Sequence, residues 1–242
     1  MKKFNKIIYL IAILILIFSI TTSAQNLLNT GIEQYNSGNY QNAIDNLTSY
    51  AAENPDNYLS NFYLGLSYTK LQQYSLAIDS FNYAREIKGD SYNLLVNLGR
   101  AYYNDNQKDN AYDVLLKAQN FSSVDEQVYN LLGLIHLDKR EFEQAVEKFN
   151  KAINLSNDNF YVYNNLALSY IHQGNFEAAK QAIDNAIEIG PTVPFVFNNA
   201  GIIYENLAEY EEAVSYYEKA LELDSNYKKA EVNLERVKNK MP

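Results

Sequence analysis

The chain has 242 residues, 47% of them hydrophobic, a formal charge of −9 and no cysteine. Without Cys there is no disulfide framework and no thiolate-ligated metal. So acidic a balance argues against non-specific nucleic-acid binding, which needs clustered Lys and Arg to neutralise phosphates, and the apolar content is too high for a disordered chain.

The first segment reads as an export signal. Lys2, Lys3 and Lys6 precede an apolar run from Ile7 to Ile20, and Thr22-Ser23-Ala24 supplies small residues for a signal peptidase. The run falls short of the ~20 apolar residues that span a bilayer. Residues 1–24 are therefore expected to be a signal peptide cleaved before Gln25. The mature protein is expected in the periplasm, with secretion or envelope association as the alternatives and no stable membrane insertion. No Cys follows the run, so no lipid anchor is expected.

From there a single period governs the chain. Ala43, Ala77, Ala111, Ala145, Ala179 and Ala213 recur at fixed spacing, each preceded by a small residue: Gly31, Gly65, Gly99, Gly133, Ala167 and Gly201. Ala84, Ala118, Ala152, Ala186 and Ala220 form a third series, with Tyr50 in its first place. A period of this length marks stacked supersecondary units rather than one globular core. Within a unit the periodicity is helical. Tyr129, Leu132, Gly133 and His136 share one helix face, and Phe142, Val146, Phe149 and Ile153 share a second. Gly38, Asn106 and Gly174 mark the turn between two such helices, where a left-handed backbone is needed. Glycine inside a helix costs about 1 kcal/mol relative to alanine. Its recurrence implies close helix approach, expected between each Gly and the two Ala positions of the second helix.

The register resembles that of tetratricopeptide repeat proteins. The pairs Leu64-Gly65 and Leu98-Gly99, followed by Tyr68 and Tyr102, and the runs 175–179 and 209–213 carry the likeness. The family's closing proline survives as Pro55 and Pro191, and its Trp is replaced by Leu27, Asn61, Leu95, Tyr129, Tyr163 and Phe197. The resemblance implies an all-α, right-handed solenoid of six helix-turn-helix repeats, 24–57, 58–91, 92–125, 126–159, 160–193 and 194–227. Residues 228–242 then form a capping helix, with Ala230, Leu234, Val237 and Met241 on the array and Lys228, Lys229, Arg236, Lys238 and Lys240 facing elsewhere.

No catalytic constellation is present. His136 occupies a core Tyr position, His172 lies near the end of a first helix with no ligating neighbour, and Glu209, Glu211 and Glu212 fall at positions expected to be solvated. No cofactor, no metal site and no enzymatic activity are expected.

Binding is the expected role. The resemblance places positions 2, 5, 6, 9, 12 and 13 of each first helix in a concave groove. On this chain these give Asn97, Arg100, Asn130, Asn164, Asn165, Asn198 and Asn199, with Tyr161 and Phe195 beside them. An amide both donates and accepts, so an Asn ladder suits an extended peptide backbone, while the aromatic rings supply apolar contact. Asn at position 6 also serves local hydrogen bonding in the family, and both readings stand at this point. The expected function is a scaffold that holds a protein or peptide partner in the groove. A self-associating spacer and a periplasmic chaperone for unfolded clients are the alternatives.

Overall fold

A computed structural model describes residues 26–121 and 125–241. The expected signal segment lies outside them. All regular structure among the described residues is helical. It comprises α1 (26–36), α2 (Tyr40–Glu53), α3 (Tyr58–Lys70), α4 (Tyr74–Lys88), α5 (Tyr92–Asn104), α6 (Lys108–Ala118), α7 (Glu126–Asp138), α8 (Phe142–Leu155), α9 (Phe160–His172), α10 (Phe176–Glu188), α11 (Pro194–Asn206), α12 (Tyr210–Leu223) and α13 (Lys228–Lys238). The described residues fall into two compact units, the first ending at Ala118 and the second beginning at Gln119.

Each helix packs on the next within its unit. In the first unit α2 touches α3, α3 touches α4, and so on to α6; in the second the succession runs from α7 to α13. First helices also touch the following first helices, α3 with α5, α7 with α9, and α9 with α11. This neighbour-only connectivity is that of a helical solenoid of tandem repeats.

Starts and stops follow from local chemistry. The side chains of Asn57, Asp125, Asn159 and Asn175 accept from backbone N–H groups in the first turns of α3, α7, α9 and α10. They satisfy donors that a helix start leaves unpaired. Pro194, whose ring presets the helical φ, opens α11. Every first helix ends the same way. The backbone at Gly38, Gln72, Asn106, Arg140, Gly174 and Ala208 is left-handed, with φ of 79°, 60°, 60°, 61°, 73° and 61°. The next N–H in each case bonds the carbonyl five residues back, at 2.8 to 2.9 Å, as in Gln73 to Tyr68 and Glu209 to Tyr204. Gly38, Asn106 and Gly174 thus mark the turn, and three further members, Gln72, Arg140 and Ala208, show no such signal in their identity.

Alanine is disfavoured at positive φ, whereas glycine adopts it freely. Ala208→Gly is therefore expected to raise stability by about 0.5–1 kcal/mol and Tm by a few degrees. A melting curve at or below the parent's would refute this account of the turn.

The packing of the recurrent glycines differs from expectation. A Cβ added at Gly31, Gly65, Gly99 or Gly133 would meet Leu47, Phe81, Leu115 or Phe149, each at 2.6 to 2.7 Å; one at Gly201 would collide with Tyr217. The partner is thus a large side chain on the second helix, lying between the two Ala positions, and not the alanines themselves. Phe81, Leu115, Phe149 and Tyr217 are fully buried. Glycine makes room for a bulky knob that drives the pairing, and the alanines let the helices approach on either side of it. The fifth pair trades the other way: Ala167 carries a Cβ, and Ile183 stands in the corresponding knob position.

Candidate functional site

In the second unit the asparagines of successive first helices bond one another. Asn165 Nδ2 donates to Asn130 Oδ1 at 3.4 Å, Asn199 Nδ2 to Asn164 Oδ1 at 2.9 Å, and Asn233 Nδ2 to Asn198 Oδ1 at 2.9 Å. Each step spans one repeat plus one residue, so position 6 of one first helix reaches position 5 of the one before. Asn164 and Asn198 are only 3% exposed. A buried amide left unpaired costs about 1–3 kcal/mol, so these bonds hold neighbouring first helices in register. Asn130, Asn165 and Asn199 are half-buried and keep further hydrogen-bonding capacity. Asn233, on α13, extends the series and was not anticipated; its place 35 residues after Asn198 is the only sequence signal for it.

The aromatic residues flank this strip. Tyr161 is 48% exposed, stacks on Phe160 with centroids 4.2 Å apart, and lies 6.0 Å from the half-buried ring of Phe195. The second unit therefore brings together Asn130, Tyr161, Asn164, Asn165, Phe195, Asn198 and Asn199 on consecutive first helices.

Asn97 and Arg100 belong to the first unit and are arranged differently. Asn97 Nδ2 donates to the Asn93 carbonyl at 2.7 Å, one turn back, and its Oδ1 accepts from Arg100 Nη1 at 3.2 Å. Rings take the place of amides here. Tyr63 meets Tyr35 edge-on at 5.4 Å and Phe62 at 6.0 Å. Burial, then the neighbouring hydroxyls of Tyr40 and Tyr63, push the Tyr35 phenol up, and the Arg100 guanidinium pulls it the other way.

The C-terminal end of the second unit holds a charged cluster that sequence reasoning missed. Glu205 is buried, its side chain 3% exposed. Its carboxylate accepts from Arg236 Nε at 2.9 Å and Nη2 at 2.6 Å, from Lys240 Nζ at 2.9 Å and from the Tyr217 hydroxyl at 2.8 Å. Burial alone would raise the carboxyl pKa. The bonds from Arg236, Lys240 and Tyr217 outweigh it and hold the pKa at about 2. Arg236 and Lys240 thus pin α13 to α11, where the sequence placed them facing away. The available signal was a lone Glu where the equivalent residues are Tyr35, Thr69, Tyr103, Leu137 and Ile171.

The remaining candidates are structural in setting. His136 is buried and its Nδ1 lies 2.7 Å from Glu141 Oε2. His172 is exposed and stacks on Phe142 at 4.9 Å. Glu211 and Glu212 are exposed, but Glu209 is half-buried and receives both of its bonds from Lys180, at 2.8 Å. Among the described residues no group of three His, Cys, Asp or Glu could hold a metal ion. No described helix is long and apolar enough to cross a membrane.

No curated protein sequence matches the chain. Solved structures do share its fold. A chain of the APC/C hetero-tetramer Cut9–Hcn1 matches with a TM-score of 0.77 and 18% identity, over 88% of this chain and 42% of that one. This chain thus spans less than half the length of that relative. PilF of Pseudomonas aeruginosa matches with a TM-score of 0.76 and 18% identity, over 90% of this chain and 97% of that one. YrrB, described as a tetratricopeptide repeat protein with an unusual peptide-binding site, matches at 0.59 and 17% identity, over 76% and 95%. Models of the tetratricopeptide repeat match residues 28–92, 92–123 and 158–226, and a TPR repeat model matches 133–174. With the helix pairs, the recurring left-handed turn and the glycine-to-knob packing all keeping the same step, the chain belongs to the tetratricopeptide repeat proteins.

Proposed function

We propose that the protein is a non-enzymatic interaction scaffold that holds an extended polypeptide segment along the first helices of its second unit. The observation that carries this reading is the exposed Tyr161 with Phe195, set beside half-buried amides that retain hydrogen-bonding capacity. A few residues carry most of the energy of an interface, Tyr prominent among them, and neutral amides bond a peptide backbone with little regard to its side chains. Proteins built from this repeat are typically scaffolds. One structural neighbour is described as having a peptide-binding site and another as part of a hetero-tetramer, which agrees with such a role. The N-terminal sequence supports export, with the work done in the periplasm. Cell fractionation with N-terminal sequencing checks that point: a chain starting at Gln25 in the periplasmic fraction is the expected result.

Asn164 and Asn198 are poor probes of binding, because their removal would also loosen the stacking of α9, α11 and α13. Tyr161→Ala with Phe195→Ala tests the reading better. In a crosslinking capture from cell envelopes, the parent is expected to retain a partner that the double variant loses, with circular dichroism unchanged. Equal capture by both proteins would sink the groove assignment.

A further inference from the structure

The solvent face of α4 differs from that of every other second helix. Its buried side, Ala77, Ile78, Phe81 and Ala84, faces the helices it packs on, α3 and α5. On the other side Leu76 is 47% exposed and Tyr83 42%, on one line of the helix and about 10 Å apart along it. One repeat earlier the same places hold exposed Asn42 and Ser49, and one repeat later exposed Asn110 and Lys117. Of the six second helices only α4 has a large apolar group at both. Neighbouring repeats stack with polar groups there, so packing requires neither side chain. Asp79 and Glu86 each follow three residues behind, which sets a carboxylate beside each apolar group. The cations of α4 are engaged elsewhere: Arg85 bonds Asp90, and Lys88 lies over the Tyr58 ring, 4.5 Å from its centroid. Beside Tyr83 opens a hollow of about 260 Å³, lined by Tyr83, Glu86, Ile87 and, from the turn before α3, Asp56.

We propose that this face of α4 docks a basic amphipathic helix of a partner protein, with one arginine of that helix seated in the hollow. The surface lies in the first unit and is independent of the groove in the second. Apolar groups of the partner cover Leu76 and Tyr83, and its cations meet Asp79 and Glu86. A guanidinium stacks on an aromatic ring and offers a planar fork to carboxylates, which suits the Tyr83 ring beside Asp56 and Glu86. The aliphatic stem of the same side chain lies on Ile87. The hollow is smaller than the ~300 Å³ at which small-molecule pockets begin, so it fits a side chain and not a free ligand. The sign of the charge selects the occupant. Two copies of the chain paired through this face would bring the acids of both together with no cation between them. Anionic lipid and nucleic acid are repelled for the same reason. Charge attraction at an exposed face is modest and screened by salt, so selection comes from charge paired with apolar contact.

The test uses two fluorescein-labelled, alanine-rich helical peptides of about 20 residues, long enough to hold a helix in water. One carries Leu and Arg at alternating three- and four-residue spacing, and its twin has Gln in place of each Arg. In fluorescence anisotropy with the purified protein at low salt, the Arg peptide is expected to bind saturably and about ten-fold tighter than the twin. Leu76→Asn with Tyr83→Ser gives α4 the residues that α2 already carries, so the fold is kept, and binding of both peptides should be lost. Asp56→Asn with Glu86→Gln should bind the two peptides alike. Failure of the Arg peptide to bind, equal binding of the twins by the parent, or undiminished binding by the Leu76→Asn, Tyr83→Ser variant would overturn the inference. Sedimentation velocity and flotation with phosphatidylglycerol vesicles address the other occupants, and parent and variant are expected to behave identically in both. Self-association or vesicle binding that the variant abolishes would give the face to a second copy or to a membrane, and would overturn the inference equally.

Discussion

Gly133→Leu is expected to cost the second unit about 3 kcal/mol or more, lowering Tm by roughly 10 °C. A Cβ at Gly133 would stand 2.6 Å from Cε1 and 2.7 Å from Cδ1 of Phe149, a ring with no exposed surface. Cores packed near crystal density have no spare room into which such a ring can turn, so the helices must separate. The fifth pair shows how the same interface tolerates a Cβ, with Ala167 opposite the smaller Ile183. Gly133→Ala should therefore destabilise by itself and recover much of the loss when combined with Phe149→Ile. Thermal melts of the parent and the three variants check this. A Gly133→Leu protein that melts with the parent would remove the packing account of the repeated glycine.

Acid should loosen α13 before neutral denaturation does. The folded-state pKa of Glu205, about 2, lies below its ordinary value of 4.5. The ionised carboxylate therefore contributes its full stabilisation above about pH 4.5, and that contribution is lost as the pH falls towards 2. A shift of this size corresponds to about 3 kcal/mol. Urea titrations at pH 7, 4 and 2.5 should show the parent losing more stability than Glu205→Gln, whose neutral amide does not titrate. Parallel losses would show that Glu205 carries no special share. Removing both cations, as Arg236→Ala with Lys240→Ala, leaves the buried charge with only the Tyr217 hydroxyl. Such uncompensated burial costs about 3–5 kcal/mol at neutral pH.

The repeat register was legible because it depends on residue type at fixed spacing, and alanine and glycine are chosen there for size alone. Spacing does not say which side chain fills the space a glycine leaves. The knobs Leu47, Phe81, Leu115, Phe149 and Tyr217 look like any other apolar residue of an amphipathic helix, so the alanines were expected in their place. The left-handed turn was visible where Gly38, Asn106 and Gly174 fill it and hidden where Gln72, Arg140 and Ala208 do. The Schellman closure and the tertiary packing impose that conformation against residue preference. The asparagines were found by position. That Asn165, Asn199 and Asn233 spend an amide hydrogen on the preceding repeat depends on a three-dimensional offset that no local pattern carries. Glu205 escaped because acidic side chains are seldom buried, and its two cations lie 31 and 35 residues away.

The asparagine couplings in the second unit have a consequence for how the array can vary in length. Each joint pairs two asparagines at the same offset, so the donor on one unit recognises a joint chemistry rather than one particular neighbour. Excising residues 160–193 would present Asn199 to Asn130 in place of Asn164, with donor and acceptor still matched. Duplicating that stretch would likewise create an additional joint of the same kind. Whole units are thus interchangeable parts, while α13 ends the series: it carries the donor Asn233 but has Val232 where the next acceptor would stand. Gene duplication or loss of whole repeats ahead of residue 194 can tune the reach of the protein without redesigning the asparagine joint, whereas α13 must stay behind the sixth repeat, whose Glu205 holds Arg236 and Lys240.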